Sequence, residues 1–377
     1  MRSVKKIRVL ENIPVLVRTA LNVPIKDGEV AGAFRLRRAL PTIEYLRKRH
    51  ARVILIGHIG DKGTETLEPV YRAMREMLPG LAFCPVTTGS QARKAVRDLE
   101  PGGVLMLENL RRDKGEAGND AKFARALAEL ADVFVEDSFD VCHRPHASVV
   151  GVPALLPSYA GFLVEEEVKQ LTKALKPKKP SLAIIGGAKF STKEPVLRRL
   201  LANYDRVYVG GALANDLMQA SGKPVGASLV SGADPKELKA LLADRKLALP
   251  LDYSVAPAGS TAAQGRLART DDVKENEAIL DNGPESIAFL GERAKGSRTI
   301  LWNGPLGNYE NGFTEGTESL ARAIAASGAH SIVGGGDTVA AIEKLKLSER
   351  FSFISTGGGA MLDFLAKGTL PGLEVLD

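Results

Sequence analysis

A chain of 377 residues is longer than one hydrophobic core usually supports, so two domains are expected. Its 51 Lys and Arg stand against 45 Asp and Glu, a net charge of +6, with no charged tail and no basic residues interleaved with aromatics. That balance argues against nucleic acid and for a small anionic ligand drawn to local basic patches.

The opening MRSVKKIRVLENIPVLVR has neither the apolar core nor the small-residue cleavage site of a secretory signal, and no apolar run reaches membrane-spanning length. A cytoplasmic location is expected, with Cys84 and Cys142 as free thiols. The five histidines form no HExxH pattern, and a zinc site is not expected.

Along the first half, the apolar runs VLVRT (15–19), RVILIGH (52–58), GVLMLEN (103–109) and DVFVED (132–137) read as strands. Segments of helical period separate them, among them RLRRALPTIEYLRKRH (35–50) and AKFARALAELA (121–131). Nearly continuous apolar strands alternating with helices indicate a parallel sheet covered on both faces. SYAGFLVEEEVKQLTKALKPKKP (158–180) reads as one amphipathic connecting helix stopped by PKKP. The strand pattern then restarts at LAIIGG (182–187), RVYVGG (206–211), LALPLDYSVA (247–256), TILWNG (299–304), SIVGG (331–335) and FSFIST (351–356). The expected architecture is α/β, two domains of similar size.

In the second half almost every strand ends in glycine: Gly186–Gly187, Gly210–Gly211, Gly304, Gly334–Gly336 and Gly357–Gly359. Ligands of open parallel sheets bind at the carboxyl ends of the strands, and glycine there lets backbone amides approach them. VGGGDTVAA allows two readings: a capped strand-to-helix turn, or a nest for a phosphate with Asp337 on its magnesium ion. Lys189 and Lys193 lie four apart at an expected helix start, hence on one face, and suit nucleotide phosphates. WNGPLGNYE adds Asn303, the Gly304–Pro305 turn and Glu310, whose carboxylate suits ribose hydroxyls. Neither GxxxxGK[ST] nor a GxGxxG after a strand is present, so nucleotide binding needs another architecture.

With LENLR, HRPHASVVGVP, LPSYAGFLVEEE, IIGGAKFSTK, WNGPLGNYE, VGGGDTVAA and STGGGA in order, the sequence resembles the phosphoglycerate kinase family nearly end to end. The resemblance implies two Rossmann-like three-layer domains with parallel sheets, joined by a long helix and closing like a hinge. The implied boundaries are an acceptor-substrate domain at 1–157, an interdomain helix at 158–178, and a nucleotide-binding domain at 179–356. A segment at 357–377 would return to the first domain. The implied reaction passes a phosphoryl group between ATP or ADP, with Mg²⁺, and a small anionic carboxylate, by default 3-phosphoglycerate. A monomer is implied, with no nucleic acid or membrane as partner.

Residue by residue, Lys189 and Lys193 match the family's phosphate lysines, and Gly210, Gly211 and Pro305 its adenine pocket. Asn303 and Glu310 match phosphate-side and ribose contacts, and Asp337 and Thr338 the magnesium and phosphate contacts. Gly334, Gly335, Gly336 and Gly357–Gly359 match phosphate-facing turns, with Gly336 and Gly359 counted, beside Lys189 and Arg35, among the catalytic positions. Arg35 matches the arginine that stabilises the transferring group, Asn22 a substrate contact, and His58, Arg111 and Arg144 the basic cluster that grips the 3-phosphate.

The departures fall mainly on the acceptor side. Ala20 replaces an aspartate that receives the substrate hydroxyl, a fourth cluster arginine is either replaced by Asp61 or deleted, and Asp140 replaces a glycine. Thr192 replaces an acidic residue. Arg112, Lys62 and Lys114 are the candidates to compensate. Two lost hydrogen bonds to charged groups, at about 1.5–3 kcal/mol each, correspond to roughly two to four orders of magnitude in affinity. Three readings follow: the 3-phosphoglycerate kinase reaction, the same chemistry on another carboxylate, or a nucleotide-binding protein without catalysis.

Overall fold

The computed structural model describes residues 1–376 apart from 189, 191, 258 and 261–263. The chain forms two compact units, Met1–Lys169 with Thr369–Asp377, and Gln170–Gly368.

In the first unit the chain forms β1 (Pro14–Thr19), a small hairpin of β2 (Ile25–Lys26) and β3 (Glu29–Val30), then β4 (Arg52–Ile56), β5 (Leu81–Cys84), β6 (Val104–Leu107), β7 (Val133–Asp137) and β8 (Ser158–Ala160). Six of these make one sheet in the order β5-β6-β4-β1-β7-β8, every pair parallel. The period of two sends successive side chains to opposite faces. Val15, Val17, Val53, Leu55 and Met106 pack on one side with Leu36, Ala39, Ile43 and Leu46 of the helix Phe34–Lys48. Leu16, Ile54, Ile56, Leu105 and Phe134 fill the other side with Phe123 and Leu127 of the helix Ala121–Ala128. Both faces are covered, as the continuous apolar runs require. Each such side chain contributes about 1.5–3 kcal/mol by leaving water.

The last residues complete this unit: Arg2 N donates to Leu376 O (3.0 Å), and Gly372 N to Cys142 O (2.8 Å).

The second unit runs β9 (Ser181–Ile185), β10 (Arg206–Val209), β11 (Leu247–Ala248), β12 (Asp252–Pro257), β13 (Arg266–Arg269), β14 (Glu277–Asn282), β15 (Thr299–Asn303), β16 (His330–Gly334) and β17 (Phe353–Ile354). Its parallel sheet has the order β11-β10-β9-β15-β16-β17.

Two sequence expectations need correction. LALPLDYSVA is not one strand. Pro250 has no N–H for the ladder, and the chain leaves the parallel sheet after β11. It then forms β12, the middle strand of a separate antiparallel sheet ordered β13-β12-β14. That sheet buries Tyr253 and Val255 against Met218, Val225, Ala268 and Val273. The segment from 158 is not helical from its start either. Ser158–Ala160 pair with β7, and the helix is Phe162–Ala174. Its first turn is capped by acceptors from other elements: Thr42 Oγ1 takes Phe162 N (2.9 Å), and Asp137 Oδ1 takes Leu163 N (3.0 Å). Three residues are too few for a strand period to show.

The glycines ending β9 and β15 bring two backbones into contact. Gly186 N donates to Asn303 O (2.8 Å) and Gly187 N to Pro305 O (2.9 Å). A Cβ on Gly186 would fall on the carbonyl oxygens of Pro305 and Gly304. Gly186→Ala should therefore destabilise the protein by about 1–3 kcal/mol, the usual range for overpacking. Urea unfolding of the two proteins measures this, and an unchanged midpoint would count against the contact.

Candidate functional site

At the carboxyl ends of β9, β15 and β16 the second unit holds a cleft of about 650 Å³. Of the residues expected on the nucleotide side, Lys193, Gly211, Asn303, Pro305, Glu310, Gly335, Gly336, Asp337 and Gly359 line it. Gly210, Gly334 and Thr338 are buried behind that surface. Lys189 lies outside the described residues, so the expectation that it shares a helix face with Lys193 concerns only Lys193 here. Lys193 is the residue before the helix Glu194–Asn203, not within it, because Pro195 sets the first turn.

The glycines divide into two kinds. Gly186, Gly210 and Gly334 face protein: a Cβ on Gly210 would meet Leu306 at 2.7 Å, and one on Gly334 would fall on Met361. Gly336 is different, since a Cβ there would meet nothing within 4 Å. Gly335, at φ +103°, turns the chain from β16 into the helix Gly336–Lys344. The first amides of that helix have no partner inside it, and its dipole favours an anion at this end.

The cleft's charges are partly desolvated. Lys193 Nζ donates to Gly186 O (2.5 Å), and burial pushes its ammonium down to about 8 against the opposing pull of Asp337. Burial, then the neighbouring Glu310, push the Asp337 carboxyl up. Thr338 Oγ1 is buried with no hydrogen-bond partner. Among the described residues no group of three or more His, Cys, Asp or Glu could enclose a metal ion. A cation here must take most of its ligands from a bound phosphate and water, which is how Mg²⁺ is commonly held. Asp337, beside free helix amides, fits that demand.

Sequence reasoning missed the opposite wall. Ala278, Ile279, Leu280 and Asp281 come from β14, part of the antiparallel sheet that was not foreseen. Asp281 accepts from Gly316 N (2.9 Å) and Asn282 N (2.8 Å), and burial pushes its carboxyl up to about 7.

The first unit gathers a basic cluster at the ends of β1, β4 and β6, built around Arg18, which the sequence reading did not single out. Arg18 is fully buried. Its Nε donates to Ser148 Oγ (2.9 Å), and its Nη2 sits 3.0 Å from His58 Nδ1. Ser148 Oγ in turn donates to Glu116 Oε1 (2.6 Å). The signal was present: an arginine inside the apolar run VLVRT must be buried and therefore partnered. Burial first, then Arg18, Arg111 and Arg144, hold the His58 imidazole well below its ordinary range. His146, also missed, is pushed down to about 4 by burial and then the same guanidinium groups.

Asn22 and Arg35 join this cluster through the loop after β4. Asn22 Oδ1 accepts from Gly60 N (3.2 Å), and Arg35 donates to the Asn22 carbonyl. Arg111 donates to Gly60 O and to Asp61 Oδ1, the latter at 2.7 Å. Asp61 thus occupies an arginine of the cluster with a carboxylate that is 86% exposed, while Arg111 is 7% exposed. Arg112 turns to Glu108 (3.0 Å), and Lys62 and Lys114 are exposed. Asp140 accepts from Ser138 Oγ (2.6 Å). Ala20 is fully buried.

A family profile described as phosphoglycerate kinase matches residues 4–368. The chain belongs to the phosphoglycerate kinase family. It is 44% identical to the phosphoglycerate kinase of Rubrobacter xylanophilus, over 100% of this chain and 98% of that one. It is likewise 44% identical to the enzyme of Thermus thermophilus, over 96% of each. Among solved structures, phosphoglycerate kinase from Pyrococcus horikoshii OT3 matches with TM-score 0.90 at 30% identity, covering 100% of this chain and 98% of that one. The Coxiella burnetii structure matches with TM-score 0.82 at 37% identity, over 99% and 98%. The chain is therefore a phosphotransferase with a carboxyl acceptor that uses ATP or ADP with Mg²⁺.

Two predictions follow from the charges. Lys193→Met should weaken MgADP binding about ten- to hundredfold, from one lost charge-assisted contact. Calorimetry decides it, and undiminished affinity would remove Lys193 from the phosphate site. For His146, the folded value near 4 lies below the unfolded value of about 6.5. The stability this supports is complete above about pH 6.5 and is lost as pH falls towards 4. A dianion in the cluster reverses the local field. Sulfate binding near pH 5.5, between the two values, should then take up protons, read from the dependence of calorimetric heat on buffer ionisation. Equal heats in all buffers would contradict it.

Proposed function

We propose that the chain catalyses reversible phosphoryl transfer between MgATP and the carboxylate of 3-phosphoglycerate, with the first unit as acceptor domain and the second as nucleotide domain. The observation that carries this is the presence, one in each unit, of two different charge environments at strand ends. One is a cleft with an open helix N-terminus beside Lys193 and Asp337. The other is a cluster of guanidinium groups around His58.

In this reading the amides of Gly335 and Gly336, with Thr338, receive the phosphates, and the helix Gly358–Lys367 offers Gly359 in the same way. Lys193 supplies a fixed positive charge, and Glu310 and Pro305 contact the ribose and base. The apolar wall of Ala278–Leu280 gives the base a face to pack on. Asp337 would hold the magnesium ion, which when bound offsets the charge of the phosphates. Arg35, with Lys189, would balance charge on the group in transfer. Asn22, Arg111, Arg144 and His58 would hold the acceptor. Electrostatic positioning is the main requirement, since a carboxylate acceptor is already ionised at neutral pH and needs no general base. This is the first of the three sequence readings.

The chain would work as a cytoplasmic monomer. Both cysteines are buried and free, which suits a reducing compartment. No helix among the described residues is long and apolar enough to cross a membrane.

A coupled ATPase assay with 3-phosphoglycerate tests the reaction, and turnover is expected. If ATP is consumed only with another carboxylate, its acyl phosphate trapped by hydroxylamine, the acceptor assignment fails. Asp61 adds a sharper test. Its carboxylate competes with substrate for Arg111, and an ion pair whose carboxylate lies in water contributes about 0.2–1 kcal/mol. Asp61→Asn should lower the KM for 3-phosphoglycerate about two- to fivefold with little change in kcat. A raised KM would show that Asp61 assists binding instead.

A further inference from the structure

The second unit has another cavity, of about 510 Å³, lined by Thr172, Lys173, Lys176, Lys178, Thr299 and His330. Thr299 and His330 are paired at the amino ends of β15 and β16. The nucleotide cleft lies at the carboxyl ends of the same strands, where Asn303 and Gly335 line it. At about 3.3 Å per residue, the four steps from Thr299 to Asn303 span roughly 13 Å. The two sites are separate.

Among the described residues no carboxylate lines this cavity. The ammonium groups of Lys176 and Lys178 have no ion-pair or hydrogen-bond partner among the described residues, and Lys173 Nζ has a 3.5 Å contact with Gln170 Oε1. The next lysine in sequence, Lys179, behaves differently and pairs with Asp205 at 3.0 Å. Two carbonyls at the helix end nearby already have other donors. Tyr204 Oη donates to Ala174 O (2.8 Å), and Thr299 Oγ1 donates to Lys178 O (2.9 Å). On the cavity wall, His330 Nε2 is buried with no partner. A buried polar atom without a partner calls for an explanation, and three neighbouring cations without an anion call for the same one.

We propose that this cavity is a second ligand site, for a small polyanion of phosphate or carboxylate chemistry. The three lysines would supply charge, and His330 Nε2 a hydrogen bond at the floor. The volume is that of an ordinary small-molecule site. Burial, then Lys173 and Lys178, hold the His330 imidazole below its usual range, so an arriving anion would raise it.

His330 is its own reporter, because the chain has only five histidines. In metal-free full-length protein its ring signals, assigned by their loss in His330→Phe, are followed by NMR during addition of tripolyphosphate or citrate. A saturable shift is expected, with affinity falling about tenfold for each lysine changed, hence about a hundredfold in Lys176→Ser/Lys178→Ser. Lys193→Met should leave it unaltered. A shift with tripolyphosphate alone assigns phosphate chemistry, and one with citrate alone assigns carboxylate chemistry. Absence of a saturable shift, or the same affinity in the double variant, overturns the site.

Discussion

The second unit depends on how closely two stretches of backbone can approach at the ends of β9 and β15. Gly186 and Gly304 meet with no side chain between them, and the hydrogen bonds from Gly186 to Asn303 and from Gly187 to Pro305 tie the loops together. The cleft floor is therefore main chain. Any side chain at these positions would separate the loops and displace Lys193, whose ammonium rests on the Gly186 carbonyl. The cleft thus begins as a packing constraint between glycines, and Lys193 is placed by it.

The first unit uses the opposite device. Its cluster is organised from below by a fully buried guanidinium, Arg18, held by Ser148, which Glu116 in turn anchors, and reaching His58. A buried cation is costly unless its partners are fixed, so the network also fixes the imidazole that lies beside Arg111 and Arg144. Above it, Asp61 engages Arg111. Family membership settles the class of chemistry, while in the proposed reading the Asp61–Arg111 pair and Ala20 would bear on how tightly an acceptor is held.

Much of this was legible in the sequence because the signals are local. Parallel strands buried on both faces must be continuously apolar, and the runs at 15–19, 52–58, 182–187 and 299–304 announce them. The motifs around Asn303 and Asp337 point to the cleft of the second unit, and the one around Arg35 to the cluster of the first, through a resemblance that spans nearly the whole chain. What escaped has a different physical origin. β8 is three residues long and pairs through backbone atoms, leaving no side-chain period to read. The β13-β12-β14 sheet was hidden because Pro250 divides an apolar run whose two parts belong to different sheets. The roles of Arg18, Glu116 and Ser148 depend on contacts across 32 to 130 residues of chain, which spacing cannot reveal. The glycines misled in a milder way: many of them touch protein, and Gly336 is the clearest opening towards the cleft.

The bond between Arg2 and Leu376, with that between Gly372 and Cys142, makes the second unit an insertion within the first. During synthesis the first sheet leaves the ribosome early, yet the strip that seals it emerges only after some two hundred intervening residues. Until then the early half would sit as an unfinished, chaperone-accessible intermediate, while the later half is already self-contained.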